Sequence, residues 1–493
     1  MKNIETASRT RDRRSAFTLV EMLVTITVTL LVMLALVTTF EWIGGRVAEG
    51  RSTIELSNEL RGAALLLQHD LDRLTVPVRP FTQVEGANGY FHYLELPEWD
   101  GTTQSTLNIQ GDTDDVLAFT ARMDVEQYSG KLPFTIGGTT RATSKEAEII
   151  WWAQHVDLNE DGTITPDEQV NRVLHRRVLL LKPEFNSTTG QGEWFQLPQA
   201  FTGAASYNVT NQGDLATLAS HLRQLYNTCD VSIRFQRSLA GSNLTLYVYA
   251  NSLADLTKPE NRFMRHPLVL RSGSYFFPAA SVSYPNYPFP IDIDPNSVTN
   301  LSTIPLWGAR RGEDVVLSNV LAFDVRAYDP EVFVAGGGGV GLLPSDNGWT
   351  STGAVSGAVA RGGFVDLNYR RRYPAMSWST AAASTFSEYP LLKPAHVPLT
   401  APFPASPGIQ PFYDTWTFHY EENGIDDNGD SVIDGAMNGI DDNGSNGVDD
   451  PAERDSAPPY GAPLRGISTL LRVYEPDNRQ VQQQTVKINF VPE

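Results

Sequence analysis

The sequence predicts an α+β protein: one long N-terminal helix followed by an enlarged antiparallel β-sheet head with long loops. Residues 17–40 are apolar or Thr except for one acid, and a helix-compatible pattern continues to residue 76. Beyond residue 76, several segments alternate apolar with polar residues and are rich in β-branched and aromatic side chains, which is typical of strands. The 39 Gly and 31 Pro among 493 residues also favour strands and loops over a helical bundle.

The apolar run at residues 17–40 is long enough to cross a bilayer. Its residues rise about 1.5 Å each and together span roughly 36 Å, against a hydrocarbon core of ~30 Å. The preceding residues 1–16 carry five basic and two acidic side chains. Because positive charge is retained on the cytoplasmic side, this flank predicts a cytoplasmic N-terminus.

The helix is expected to continue beyond the membrane as an amphipathic segment over residues 41–76. Its apolar residues recur every three or four positions, at Leu56, Leu60, Ala64, Leu67, Leu71 and Leu74. Gly44 and Gly45 are expected to loosen the helix, and Pro77 to end it.

A single acid, Glu21, interrupts the apolar run, and a carboxylate inside a membrane helix costs free energy. If the chain were cut between Ala16 and Phe17, the new α-amino group would lie one helical turn from Glu21. When helices of several subunits pack together, Glu21 of one can pair with the amine of its neighbour. A wrong axial register would leave the charge unpaired, so the acid would specify alignment.

The stretch AFTLVEML, with its basic leader, apolar span and amphipathic continuation, resembles the class III signal of type IV pilins and type II secretion pseudopilins. The resemblance implies cleavage between Ala16 and Phe17 by prepilin peptidase, N-methylation of Phe17, and filament assembly through Glu21. It implies other pilin or pseudopilin subunits as partners, and a pilin-like head. It also implies an inner-membrane anchor with a periplasmic head before the subunit enters a periplasmic or cell-surface filament. The family usually has Gly where this chain has Ala16.

Four single strands and one C-terminal hairpin are predicted from alternation and β-branched content. The strands lie at residues 114–124, 148–156, 170–181 and 318–330, and the hairpin at 468–491. Together with the long helix, these segments are similar to the J-type minor pseudopilins of type II secretion systems. The greater length of this chain is assigned to insertions and long loops.

These features divide the chain into seven regions. They are a leader peptide (1–16), a transmembrane and filament-core helix (17–40), an amphipathic helix (41–76), a β-rich head (77–378), a Pro-rich connection (379–420), acidic repeats (421–455) and the C-terminal hairpin (456–493).

The stretch DLNEDGTITPDE at residues 157–168 fits the twelve-residue calcium loop. The expected ligands are Asp157, Asn159, Asp161, Thr163, Thr165 and Glu168, with Gly162 at the sharp turn. Because strand patterns flank it, we expect this loop to close a β-hairpin rather than to join two helices. The alternative is a polar hairpin tip that holds no metal.

A second acidic region contains an internal repeat, NGIDDNGDSVIDG from Asn423 and NGIDDNGSNGVDD from Asn438. Residues 421–455 hold twelve acids and one base, a density that repels itself unless cations neutralise it. The weaker calcium ligands predicted here are Asp426, Asn428, Asp430 and Asp434 in the first copy, and Asp441, Asn443, Asp449 and Asp450 in the second. Neither copy has Glu at the twelfth position, and Ser431 replaces the preferred Gly. The alternative is a solvated acidic loop.

Composition excludes several classes of function. A net charge of −19 argues against a nucleic-acid partner, which needs a basic surface. Cys229 is the only cysteine, so no internal disulfide can form. No hydrolase or zinc-protease spacing is present, so no enzymatic activity is expected. The expected function is a structural minor pseudopilin near a filament tip, with structural calcium. The alternatives are a minor type IV pilin for adhesion or DNA uptake, and a membrane-anchored surface enzyme.

Overall fold

The structure is a computed structural model. It describes residues 18–79, 88–95, 111–113, 115–136, 139–155, 172–183, 207–208, 225, 227–237, 244–258, 261–263, 310, 312–337, 340–343, 358–367, 412–415, 417–422, 424, 431–450, 453–454, 463–476 and 479–490.

The described chain begins with one long helix, α1 (Leu19–Leu71), which runs without a break through Gly44 and Gly45. Its apolar side chains are exposed from Leu19 to Ile43, whereas the stripe that starts at Leu56 is buried. One helix therefore has an exposed apolar half and a half that contributes to a core. The predicted long helix is confirmed.

The helix ends at Leu71, six residues before Pro77, so the prediction that Pro77 ends it was wrong. Leu74, predicted on the helical stripe, instead forms an isolated antiparallel bridge with Ala121. Around it, the amide of Thr75 donates to the carbonyl of Thr120 at 3.1 Å. The Thr75 amide is thus hydrogen-bonded to β2 instead of to the preceding helical turn, so the helix does not continue through it.

The described strands are, in chain order, β1 (Phe91–Leu94), β2 (Val116–Arg122), β3 (Tyr128–Ile136), β4 (Thr139–Ser144), β5 (Glu146–His155), β6 (Arg172–Leu180), β7 (Tyr207–Asn208), β8 (Val231–Arg237), β9 (Leu244–Ala250), β10 (Val315–Leu317), β11 (Val320–Gly337), β12 (Val340–Leu342), β13 (Ala358–Val365), β14 (Phe412–Asp414), β15 (Gly466–Glu475) and β16 (Gln480–Asn489). A one-turn helix, α2 (Leu253–Leu256), follows β9.

The largest sheet in the described part of the chain has six strands in the order β10-β6-β5-β2-β1-β14. Its recorded strand pairings are antiparallel. Trp151 and Trp152 are neighbours on β5 and point to opposite faces, because side chains alternate along a strand. Trp151 contacts α1, whereas Trp152 stacks on His175 of β6 with ring centroids 5.0 Å apart. Both tryptophans are buried, so β5 is covered on both faces.

Three smaller sheets complete the described fold. A five-stranded sheet has the order β12-β11-β15-β16, with β13 also paired to β11. The hairpin of β3 and β4 forms a two-stranded sheet, and β7, β9 and β8 form a three-stranded one. The predicted strands correspond to β2, β5, β6 and β11, and the predicted C-terminal hairpin to β15 and β16. The α+β class with antiparallel sheets is therefore confirmed.

The chain forms two compact units. The first comprises Met1–Ser57 with the hairpin tip Glu475–Gln480, and within it the Thr53 hydroxyl donates to Gln480 Oε1 at 3.0 Å. The second comprises Asn58–Tyr474 and Val481–Glu493, and contains the rest of α1 and the sheets.

Candidate functional site

Glu21 lies in the first turn of α1, where it forms a capping box with Thr18. The Glu21 carboxylate accepts from the Thr18 amide at 3.1 Å and from its hydroxyl at 3.2 Å. In return, the Glu21 amide donates to the Thr18 hydroxyl at 3.3 Å. The arrangement satisfies backbone donors that a helix start leaves unpaired, and holds a negative charge at the positive end of the helix dipole. Ala16 and Phe17, the predicted processing residues, lie outside the described residues.

The first half of α1 presents a largely apolar surface with interspersed threonines. Exposed apolar side chains lie on every side of the helix, among them Met22, Leu23, Val24 and Val32. A helix that is apolar all round suits a lipid or a protein bundle, not water. In the described part of the chain, α1 is the one helix whose length and apolar composition would allow it to span a membrane.

The threonines in this apolar half do not leave their hydroxyls unpaired. Each hydroxyl donates to a backbone carbonyl three or four residues earlier, at Thr25, Thr27, Thr29, Thr38 and Thr39. The distance from the Thr27 hydroxyl to the Leu23 carbonyl, for example, is 2.7 Å. Hydrogen bonding within the helix removes most of the cost of placing a hydroxyl in an apolar medium.

Asp70, near the other end of α1, attaches the helix to the six-stranded sheet. Its carboxylate is fully buried. It accepts two hydrogen bonds from the Arg176 guanidinium, at 2.6 and 2.7 Å, and one from the Trp151 indole at 3.0 Å. This bidentate ion pair with an added neutral donor satisfies a buried charge, which would otherwise be strongly destabilising.

The acidic repeats have matching backbone conformations in their described parts. Three pairs of positions fifteen residues apart have positive φ: Gly424 and Gly439 (73° and 80°), Ser431 and Asn446 (76° and 65°), and Asp434 and Asp449 (50° and 56°). Ser431 and Asn446 occupy the sixth position of their loops, where a calcium loop turns sharply. The sequence repeat is therefore also a structural repeat.

Each copy is closed by the same contact between its first glycine and its late aspartate. The Gly424 amide donates to Asp434 Oδ2 at 2.9 Å. The Gly439 amide donates to Asp449 Oδ1 at 2.8 Å. These two predicted ligands are thus engaged by backbone amides in the structure.

The structure brings Asp441 and Asn443 together. The Ser445 amide donates to Asp441 Oδ1 at 3.1 Å and to Asn443 Oδ1 at 2.7 Å, so both side-chain oxygens converge on one point. Asp450 is buried and accepts from Asn443 Nδ2 at 3.1 Å. Asp426, Asn428 and Asp430 lie outside the described residues, as does the whole predicted calcium loop at 157–168.

Sequence reasoning missed Glu453, which closes the second copy. Its carboxylate accepts from the amides of Asn443 and Asp450, both at 3.0 Å, and the side chain is buried. Glu453 is one position beyond the twelfth residue counted from Asp441. Allowing that offset in the calcium-loop pattern would have found it.

Sequence reasoning also missed a group of three buried carboxylates. One oxygen each of Glu95, Asp112 and Asp366 lies within 4.8 Å of the others. Arg326 lies beside this group, with its Nε 3.5 Å from Asp366 Oδ1. Within the described residues these carboxylates have the spacing that could hold a hard cation. No local sequence motif predicts this group of carboxylates, because its three members come from distant segments of the chain.

Comparison with known families agrees with the geometry at the helix start. Residues 11–37 match the family model of the prokaryotic N-terminal methylation motif. The chain carries this methylation motif. The motif is typical of type IV pilins and pseudopilins, and it supports a precursor that prepilin peptidase processes and that assembles with other pilin subunits. It includes both Thr18 and Glu21, so the capping box lies inside the methylation motif.

The family model covers residues 11–37, at the beginning of the chain. No curated protein and no solved structure matches the chain significantly. An N-terminal apolar helix that carries the methylation motif is consistent with a membrane-anchored pilin.

Proposed function

We propose that this protein is a minor pseudopilin, a structural rather than catalytic subunit of a type II secretion-like filament, and is placed near the filament tip. The observation that carries the proposal is the methylation motif at residues 11–37, followed directly by α1 with its exposed apolar half. Such a surface must be covered, first by lipid and then by the helices of neighbouring subunits.

In this proposal the two ends of α1 have separate tasks. Prepilin peptidase cuts between Ala16 and Phe17 and methylates the new amine at Phe17. Glu21, already held at the helix start by Thr18, meets a neighbouring subunit's amine during assembly. The Asp70 ion pair keeps the head attached to its own helix, so that movement of the helix carries the head with it.

A tip position follows from the size and charge of the head. The chain has 493 residues, most of them beyond α1, and a net charge of −19. Many copies of such a head around one shaft would repel one another and crowd the filament surface. The similarity of the predicted strands to J-type minor pseudopilins supports the same position.

The decisive experiment is mass spectrometry of the mature N-terminus, using the full chain purified from native membranes. We expect the protein to begin with N-methylated Phe17. A protein that retains residues 1–16 would contradict the proposal. An Ala16→Gly variant is the control, because it restores the usual residue before the cut and should be processed at least as completely.

A deletion strain distinguishes the pseudopilus from the minor type IV pilin alternative. Loss of protein secretion with normal surface pili supports the pseudopilus. Loss of adhesion or DNA uptake with normal secretion supports the type IV pilin. The direct binding of DNA by this subunit is not expected in either case, because its head is strongly acidic.

We also propose that the acidic repeats bind structural calcium. Support comes from the repeated sequence, the matching positive φ values, and the convergence of the Asp441 and Asn443 oxygens. Twelve acids against one base in residues 421–455 need compensating cations. The loop at 157–168 is a further predicted calcium site on sequence grounds.

Thermal unfolding of the full chain in detergent, with calcium or with a chelator, tests the calcium proposal. Calcium should raise the melting temperature, because a ligand at 100 times its Kd stabilises the folded state by about 2.7 kcal/mol. Asp441→Asn should reduce this rise. The matched control is Asp72→Asn, an exposed acid just after α1, which should leave the rise unchanged. Identical melting curves in calcium and in chelator would exclude structural calcium.

A further inference from the structure

Two carboxyl groups, Glu148 of β5 and Asp230 just before β8, meet in the interior of the head. Both side chains are fully buried, and they lie within hydrogen-bonding reach of each other. One oxygen of each has a conventional donor. Glu148 Oε1 accepts from the Tyr90 hydroxyl, and Asp230 Oδ1 accepts from Asn251 Nδ2 at 3.0 Å.

The second carboxylate oxygen of each group lacks such a donor among the described residues. Glu148 Oε2 and Asp230 Oδ2 are buried and accept no hydrogen bond from the described residues. Two ionised carboxylates cannot bond to each other, because neither has a hydrogen to donate. A single proton placed between them would satisfy both oxygens and remove one of the two negative charges.

The surrounding charges do not neutralise the pair. Arg262 is a cation that acts on Glu148, and its guanidinium lies over the Tyr90 ring at 3.8 Å. The same guanidinium is paired with Asp414 at 2.7 Å, and His92 is 3.4 Å from that carboxylate. The titratable and charged groups that face the pair or its immediate contacts include Tyr90, His92, Arg177 with its partner Asp314, Cys229, Asp255, Arg262, Arg310 and Asp414.

Burial raises the pKa of the Glu148 carboxyl. Burial, followed by the neighbouring charge of Glu148, raises the pKa of Asp230 well above its usual range. Both directions agree with the geometry, since a dry interior disfavours a second negative charge beside the first.

The pair joins two parts of the head. Around Asp230, its amide donates to the Leu180 carbonyl at the end of β6, and the Asn251 amide donates to the Asp230 carbonyl, both at 3.0 Å. Cys229 forms a parallel bridge with Leu180. These contacts connect the β8–β9 sheet to the end of β6, the strand that pairs with the Glu148 strand β5 in the six-stranded sheet.

We propose that Glu148 and Asp230 share one proton at neutral pH. This shared proton stabilises the junction between the β8–β9 sheet and the six-stranded sheet, and the stabilisation depends on pH. When the proton leaves, two adjacent charges remain in a dry interior and the junction loosens. The head is therefore most stable at acidic pH, and its stability falls as the pH rises from about 5 toward the folded pKa of the pair.

The sign of the pH dependence follows from proton binding in the two states. The folded head keeps a proton that unfolded carboxyls, with pKa values of about 4, have released at pH 7. Unfolding therefore releases one proton from this pair. From above pH ~5 up to the folded pKa of the pair, the unfolding equilibrium constant should rise by roughly tenfold per pH unit on this account.

Infrared difference spectroscopy of the full chain in detergent tests for the proton directly. The wild type should show the carbonyl band of a protonated carboxyl at pH 7, and the band should disappear on alkaline titration. Asp230→Asn should remove this band while the Asn amide donates to Glu148 in place of the proton. The control is Glu146→Gln, which alters another acid of β5 that is paired with Arg122 near the surface and should leave the band unchanged.

Denaturant unfolding between pH 5 and 9 gives the second measurement. The unfolding equilibrium constant of the wild type should rise by roughly tenfold per pH unit because of the shared proton, and Asp230→Asn should lose this contribution to the rise. Glu148→Gln should do the same, and serves if Asp230→Asn does not fold. A wild-type spectrum without a protonated carboxyl at pH 7, or variants with unchanged pH dependence, would overturn the proposal.

Discussion

Glu21 and Asp70 are acids near opposite ends of one helix, and their surroundings differ in every respect. Glu21 is exposed, and its carboxylate accepts hydrogen bonds from Thr18, three residues away. Asp70 is fully buried, and its partners Trp151 and Arg176 lie 81 and 106 residues further along the chain. An acid with only local partners remains available to another molecule, whereas an acid with distant partners defines the fold of its own chain.

The largest expected effect comes from Asp70→Asn. It leaves the partly exposed Arg176 guanidinium, whose side chain is 17% exposed, without its counter-charge, so we expect the head to lose about 2–3 kcal/mol of unfolding free energy. Cys229 provides the measurement. Burial raises the pKa of its thiol to about 12, so a maleimide should react with it at pH 8 only when the head opens.

The matched control for this substitution is Asp72→Asn, which changes the same residue type two positions later at an exposed site. It should leave the labelling rate of Cys229 unchanged. Equal labelling rates for wild type and Asp70→Asn would show that the ion pair does not hold the head together.

A smaller effect on the isolated protein, but a large one on the filament, is expected from Glu21→Ala. Removing the charge should lower incorporation into filaments by roughly tenfold or more, because a neighbouring amine is left without its partner. Cys229 should remain protected from maleimide. Sheared-filament yield and thiol labelling, measured on the same cells, separate assembly from folding. Normal filament yield would remove the assembly role of Glu21.

The smallest expected effect is that of Thr18→Ala, which removes an N-cap worth about 1 kcal/mol. Amides of the first turn of α1 should exchange hydrogen faster, while amides near Asp70 keep their protection. Thr18→Ser retains the hydroxyl and should restore slow exchange. If Ser and Ala behave alike, the capping contact does not stabilise the helix start.

The same contrast explains what could be predicted from the sequence. Glu21 stands out because its cost is visible locally, as one charge in an apolar run. The strands β2, β5, β6 and β11 were predictable because alternation is a local pattern with a period of two. The helix start and the general α+β class follow from signals of this kind.

The features that escaped prediction depend on partners far away in the chain. Asp70 looks like any polar residue near the end of an amphipathic helix until Arg176 is placed beside it. Leu74 continues the helical spacing, but its pairing with Ala121 outweighs helix propensity. Glu148 and Asp230 belong to two separate strand regions, and only folding creates their shared environment. The predicted residues at 157–168 and at Ala16 and Phe17 lie outside the described part of the chain.

The threonine hydroxyls of α1 bear on how such a subunit can leave the membrane. Each one donates to a carbonyl of its own helix, so no polar group there depends on the surrounding medium. These threonines can exchange acyl chains for protein side chains as neighbours without breaking or making a hydrogen bond. On the proposed assembly route, transfer from bilayer to filament would be a repacking of apolar surfaces, and electrostatic discrimination would come from the acid at the first turn, Glu21.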